Sequence, residues 1–399
     1  MAFSKYLLSA LAVTQVVFAS SCGDTTISTQ SDADTLASGC QTVKGDITID
    51  KSFSGNLDLS SIQQITGSLT CKNCPNLASL SGDSLSAIGG DFILNEVVGL
   101  TALNFPLLTT VLGNINFIAL SSLQSLGFDT GVTKAGGVHI ENTKLQSLDG
   151  ISLRTVGKFE IQANNFLKSV NINNLMNATD EIDFSDNYGG LQIEFPNLSS
   201  GTNMTFRSVQ TLSMPSLKSL SNALGLWNCQ FDSFSAPNLT TVGDLTFFNN
   251  TQLSNISMPL LKEVDGGFEI TKSDPLKNIS FPALQKVTGA IDFSGDFGSI
   301  KIPKLNDVEG AFHVESTGDI NSDCDFFKGI KALSIHGPYT CKGSISDPKT
   351  RSGVSGTSSS TTSGSAASTT TSGIAVANGV DMPTVGVVAA AFYALAQLF

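Results

Sequence analysis

The sequence predicts an all-β protein: a parallel β-solenoid of about 14 rungs, followed by a disordered Ser/Thr-rich C-terminal stalk. Three observations carry this expectation. A sequence unit recurs about every 22 residues, each unit holds an apolar-x-apolar pair with the period of a strand, and no unit has a stretch long enough for an amphipathic helix.

The unit is plainest late in the chain. Pro237, Pro259, Pro282 and Pro303 each open a P-x-L-x-x-V segment, completed by Leu239 and Val242, Leu261 and Val264, Leu284 and Val287, and Leu305 and Val308. A Gly follows, then the alternating pairs Leu245/Phe247, Phe268/Ile270, Ile291/Phe293 and Phe312/Val314. The same register extends back to Cys40 and forward to Phe327. An Asn often follows the pair (Asn95, Asn142, Asn164, Asn187, Asn228, Asn249), and a later apolar segment such as Leu253 to Ile256 supplies a second inward face. Strand, Asn turn and second apolar face at this period is leucine-rich-repeat logic. The prolines fall at corners, where a missing N–H costs no ladder bond.

A solenoid exposes its end strands, so the terminal rungs need caps. Cys22 and Cys40 bracket the first rung and Cys324 and Cys341 the last, the placement of cap disulfides in an oxidising compartment. Cys71 and Cys74 either close a small loop between themselves, or one of them pairs with the N-terminal cap. Of seven cysteines Cys229 is then the odd thiol, read as buried at a turn. The CxxC lacks a second CxxC or a His pair, so neither a metal site nor a cofactor is expected.

The ends carry processing signals. Residues 1–19 read as a signal peptide, with Lys5 before an apolar run and Val17 and Ala19 at the small-residue cleavage positions. The run Val385 to Phe399 is uncharged and short of a helical span. With small residues upstream it reads as a GPI-attachment signal, with Asn378 the first choice for the attachment residue and Gly373 the second. Residues 20–342 are therefore the solenoid ectodomain, 343–378 the stalk and 379–399 the removed propeptide. The stalk is built of Ser and Thr with almost nothing apolar, so it cannot bury enough surface to offset its ordering entropy.

These stretches resemble a known family. "ADTLASGC" with "VKGDITI", "SSIQQITGSLTCKN", "LSAIGGDFILN", "TKLQSLDGISLRTVGKFEIQANNFLKSV", "PNLTTVGDLTFFNNTQLSNIS" and "FPALQKVTGAIDFSG" are similar to the fungal GPI-anchored cell-wall organisation proteins of the sporulation-specific and extracellular-mutant type. The resemblance runs over roughly residues 22–342. It implies an ectodomain like the receptor L domain, a glycoprotein of plasma membrane and wall, and a part in wall assembly. It assigns no catalytic residues.

Function must then reside on the surface. The chain carries 22 basic and 34 acidic residues for a net charge of −12, which excludes a nucleic-acid footprint. N-glycosylation sequons stand at Asn177, Asn197, Asn203, Asn238, Asn249, Asn255 and Asn278, all in rungs seven to twelve. Asn249 is placed at the inward turn position, which makes it the sequon least open to a glycan. Side chains between each apolar pair face outward: from Thr48 through His139, Glu160, Asp183, Thr205, Gly225, Thr246, Glu269, Asp292 and His313 to Ser334. One step beyond lie Arg207, Trp227 and Phe248 on successive rungs, a platform for a wall polysaccharide such as β-glucan or chitin by ring stacking and polar contacts. The competing reading is that the two rings simply pack on each other, or lie under a glycan or the stalk. Glu160 with Asp183, and Glu269 with Asp292, are paired carboxylates on neighbouring rungs, the raw material of a glycosidase. The balance favours a non-enzymatic scaffold for wall polysaccharide or wall proteins, with a wall-remodelling glycosidase or a receptor-like module for a protein ligand as alternatives.

Overall fold

The computed structural model describes residues 22–350; the signal segment, Asn378 and the apolar C-terminal run lie outside them. The described chain winds into a parallel β-solenoid of about 13 turns with two small helices. Each full turn has three strand-bearing sides. After the Pro-x-Leu corner comes a short strand such as Thr241–Val242, Glu263–Val264 or Lys286–Val287. A broader strand follows, such as Asp244–Phe248, Phe268–Thr271 or Ile291–Gly295. The third side is a three-residue strand, for example Asn255–Ser257 or Asn278–Ser280. In the middle of the rod the first two sides run together as Thr110–Ile118, Lys134–Glu141, Thr155–Gln162, Asn177–Ser185 and Ser200–Arg207.

Every pairing is parallel and joins equivalent residues of neighbouring turns, as in Leu245↔Phe268↔Ile291↔Phe312. Inward apolar residues therefore stack on inward ones along the whole rod, because a slip of one residue would turn each set out to water. Phe92, Phe105 and Phe117 meet edge-on at 5.4 and 5.1 Å, and Phe268 meets Phe281 and Phe293 at 4.9 and 5.0 Å, all fully buried. The Gly between the first two sides is steric: a Cβ on Gly243 would sit 2.0 Å from the Asn222 carbonyl oxygen of the turn before.

The Asn turn resolves into separate positions. Asn142, Asn228 and Asn249 follow their strands directly in the left-handed region, at φ 51 to 55°, where Asn is tolerated better than most residues. Asn164 and Asn250 come one residue later and point inward, fully buried. The sequence expectation for Asn249 is thus corrected. Its amide is half-buried and donates from Nδ2 to Asn228 Oδ1 at 2.6 Å, whereas Asn250 takes the inward role. Asn250 Oδ1 accepts the Cys229 N–H at 2.8 Å and its Nδ2 donates to the Leu226 carbonyl at 3.0 Å. The reason is geometric: a left-handed residue breaks the strand alternation, so the inward side chain falls one place later than period 2 predicts.

Both ends are capped by helices that the repeat does not announce. Helix α1, Gln30–Gly39, starts with a capping box between Thr29 and Asp32 and seats Ala33 and Leu36 on the first rung. A disulfide joins Cys22 to Cys40. Helix α2, Asn321–Ser334, stands where a fourteenth rung was expected. Phe327 belongs to this helix and packs on Phe312 at 4.8 Å. Ser334 is its buried last residue, not an outward strand position; Thr340 of strand Tyr339–Lys342 takes that place beside His313. The segment DCDFFKGIKALS lacks a Pro-x-Leu corner, and it covers inward apolar surface that no further rung would bury. Buried Asp323 fastens it, accepting the Ile300 N–H at 2.8 Å and pairing with Lys301 at 2.5 Å. Disulfides also join Cys324 to Cys341 and Cys71 to Cys74.

After the last strand the chain turns back along the rod as a strap, residues 343–350. The Ser344 and Ile345 N–H groups donate to the Gly318 and Ser316 carbonyls at 2.9 and 3.1 Å, and the Lys349 N–H donates to Glu315 Oε2 at 3.0 Å.

Candidate functional site

The broad strands form one continuous outward face. Its register places Arg207 beside Trp227 and Trp227 beside Phe248, the juxtaposition read from the sequence. The Arg207 guanidinium lies 5.0 Å from the Trp227 ring, and the Trp227 and Phe248 centroids are 5.3 Å apart with planes at 42°. The row continues further than the sequence indicated: Lys272, from the next left-handed turn, sets its Nζ 4.8 Å from the Phe248 ring. Two cations thus flank two half-buried aromatic rings, an arrangement favoured by the ring quadrupole.

Gly225 makes the platform possible. A Cβ there would lie 2.5 Å from Trp227 Nε1, so the indole rests across the backbone of its own strand. Sequence reasoning placed Gly225 in the outward stripe without a role. A Gly at an outward strand position whose neighbours are Thr205 and Thr246 was the available sign of a close approach.

The carboxylates also pair as the period required: Glu160 stands beside Asp183, and Glu269 beside Asp292. Each is tied to a different environment. Lys158 approaches Glu160 at 3.6 Å and Glu181 at 3.9 Å. Asp183 accepts from Gln162 Nε2 at 2.8 Å, while its Oδ1 is buried with no hydrogen-bond partner. Burial raises its carboxyl above the ordinary range, against the pull of Gln162 and Arg207. Burial likewise raises Glu269, whose carboxylate accepts from the Thr271 hydroxyl at 2.8 Å and feels the negative charge of Asp292. Asp292 is itself bonded to His313 Nδ1 at 2.9 Å. His139 is raised by its hydrogen bond to Glu141, but eight rungs separate it from His313, too far for the two to act together. Among the described residues no group of three or more His, Cys, Asp or Glu side chains is placed to hold a metal ion.

The remaining marked residues frame this face. Asn197 and Asn238 lie at Pro corners, Asn177 begins a strand on the first side, and Asn255 and Asn278 lie on the third. Asn203 and Asn249 stand at the two margins of the broad face. Cys229 is buried in the inward turn ladder, and burial pushes its thiol up to about 11, the opposite of what a nucleophile needs.

The fold and this face define the class: a parallel β-solenoid closed at both ends by disulfide-bonded helical caps, with a polar and aromatic outward face. The family model for GPI-anchored cell wall organization proteins, Ecm33, matches residues 1–37. The chain is 51% identical to "Protein ecm33" of Aspergillus fumigatus over 100% of its own length and 99% of that protein. It is 33% identical to "Cell wall protein ecm33" of Schizosaccharomyces pombe, over 86% and 82% of the two chains. To "Cell surface GPI-anchored protein ECM33" of Candida albicans it is 29% identical, over 75% and 72%. The chain therefore belongs to the Ecm33 family of GPI-anchored cell wall organization proteins, and its role lies in organising the fungal cell wall at the cell surface. The family description names cell wall organization, two of these relatives are named for the cell wall or the cell surface, and none is named for an enzymatic activity. No solved structure matches the chain.

Proposed function

We propose that this protein is a non-enzymatic scaffold that binds wall polysaccharide on its broad face, with the GPI anchor, attached at Asn378, fixing it to the membrane. The observation that carries the reading is the row Arg207–Trp227–Phe248–Lys272 on the broad outward face. Pyranose rings present C–H faces that stack on aromatic rings and hydroxyls that bond to amides and carboxylates, and this row offers both. The glycans expected at Asn177, Asn197, Asn238, Asn255 and Asn278 would project from other sides, and glycans at Asn203 and Asn249 would stand at the margins of the face.

A flat surface also suits an extended polymer better than a reaction centre, because hydrolysis needs an acid and a nucleophile shielded from water. The test is co-sedimentation of the purified protein with insoluble β-1,3-glucan and chitin, with released sugar assayed in the supernatant. Binding without sugar release is expected. Trp227→Ala should weaken binding by about 2 kcal/mol, roughly thirtyfold. Sugar release that Glu269→Gln or Glu160→Gln abolishes would instead establish the glycosidase. Neither binding nor release would shift the assignment to a protein ligand, contacted on the sequon-free early rungs.

A further inference from the structure

The aromatic row does not end at Lys272. The same lysine lines a recess of about 580 Å³ bounded by Asp274, Ser294, Gly295, Asp296 and Thr317 on the rungs and by Pro348, Lys349 and Thr350 of the strap. Register links it directly to the platform, since Phe248 stands beside Thr271 and Thr271 beside Ser294. The positions Trp227, Phe248, Thr271 and Ser294 thus form one file along the rod, with a rung rise of about 4.8 Å, comparable with the length of one pyranose residue in an extended chain.

The chemistry of the recess is that of a polyol site. Asp296 is already committed, to Lys277 and to the Thr317 hydroxyl at 2.6 Å. The other polar groups are an acceptor on Asp274, hydroxyls on Ser294 and Thr350, and the ammonium groups of Lys272, which also faces the Phe248 ring, and of Lys349, which lies 3.9 Å from the exposed Asp347. Opposite charges are mixed with neutral donors, which suits a ligand of paired donor-acceptor hydroxyls and gives no preference for an anion or a cation.

We propose that this recess is a further sugar subsite, which takes the residues of a neutral β-linked polysaccharide strand that lies over Trp227 and Phe248 and runs along the rod toward the strap. This inference rests on the polysaccharide reading of the platform. It adds a direction to the bound chain and a minimum length to the ligand: a strand must span four rungs to use both the rings and the recess.

The test is calorimetric titration of the purified full-length protein with β-1,3-gluco-oligosaccharides and, separately, chito-oligosaccharides, from dimer to heptamer. Affinity should keep rising until the tetramer or pentamer in one of the two series, and then level off. Thr317→Trp, which fills the recess from an exposed position, and Asp274→Ala, which removes an exposed acceptor, should each cost the pentamer about tenfold, the size of one or two net hydrogen bonds. Both should leave the dimer unchanged. Trp227→Ala should weaken every length. If affinity levels off at the dimer, or the pentamer binds Thr317→Trp and Asp274→Ala as tightly as wild type, the subsite is refuted while the platform stands. If no oligosaccharide of either series binds, both fall together.

Discussion

Phe92 in an early rung and Phe268 in a late one occupy equivalent places, each fully buried and each meeting two other rings edge-on. Outside, the same two rungs diverge. The early rungs turn Thr48, Thr70, Ile93 and Asn116 outward, with no sequon among them. Rungs eight to thirteen carry the cation-flanked rings, the Glu269–Asp292 carboxylate pair and the strap. The interior of a solenoid is constrained by stacking, so each rung must repeat its neighbour; the exterior is free to vary, and that is where one region becomes a site and another remains a spacer.

The strongest way to challenge this comparison is to remove a ring from each interior. Phe92→Ala and Phe268→Ala should both cost about 3–5 kcal/mol, transfer plus cavity, and should lower the thermal unfolding temperature equally. Unequal losses would mean that the two halves are packed to different standards, and that the late rungs trade stability for function.

A smaller effect separates the halves at the inward turn position. Early rungs fill it with Val97 and Leu120, whereas late ones use Asn250 and Ser273, all fully buried. Asn250→Ala leaves the Cys229 N–H and the Leu226 carbonyl without their present partner, at a cost of about 1–3 kcal/mol. Denaturant unfolding measures it, and Asn249→Ala, one residue away, should change stability far less. If the two substitutions cost the same, the inward role assigned to Asn250 is wrong.

The platform should be more sensitive than the fold. Gly225→Val places branched carbons where the indole lies, so Trp227 must move, and polysaccharide binding should fall as far as it does in Trp227→Ala. The unfolding temperature should change little, because the added side chain points outward. Thr70→Val, at the matching outward place of an early rung, should leave binding untouched.

Legibility follows the same division. The repeat, the parallel stacking and the meeting of Arg207, Trp227 and Phe248 could be read because each depends only on period. Four features could not. Helix α2 replaced a rung because an end must be covered, and the apolar spacing around Phe327 fits a rung anchor and a helix face equally well. Asn249 and Asn250 exchanged roles because a single left-handed residue shifts the parity of the turn. Lys272 joined the row from a turn, where strand alternation says nothing about direction. The recess has no mark in the sequence because the strap that forms one wall returns from beyond the last rung, a contact with no periodic signature.

The least perturbing test concerns charge on the late face. Burial, reinforced by Asp292, raises the Glu269 carboxyl above its ordinary value of 4.5, so the folded chain holds this proton more tightly than the unfolded chain does. Ionised Glu269 therefore costs stability at neutral pH, and the cost disappears as the pH falls through the folded pKa toward 4.5. Glu269→Gln keeps the carbonyl oxygen that the Thr271 hydroxyl needs and removes the charge. Its unfolding temperature should exceed that of wild type at pH 7, and the gap should narrow steadily on acidification. Asn116→Gln on an early rung, with no charge to lose, should show a pH-independent difference. A Glu269→Gln protein less stable than wild type at neutral pH would mean that the carboxylate is held by net favourable contacts. The late face would then be built around that charge, and not merely tolerant of it.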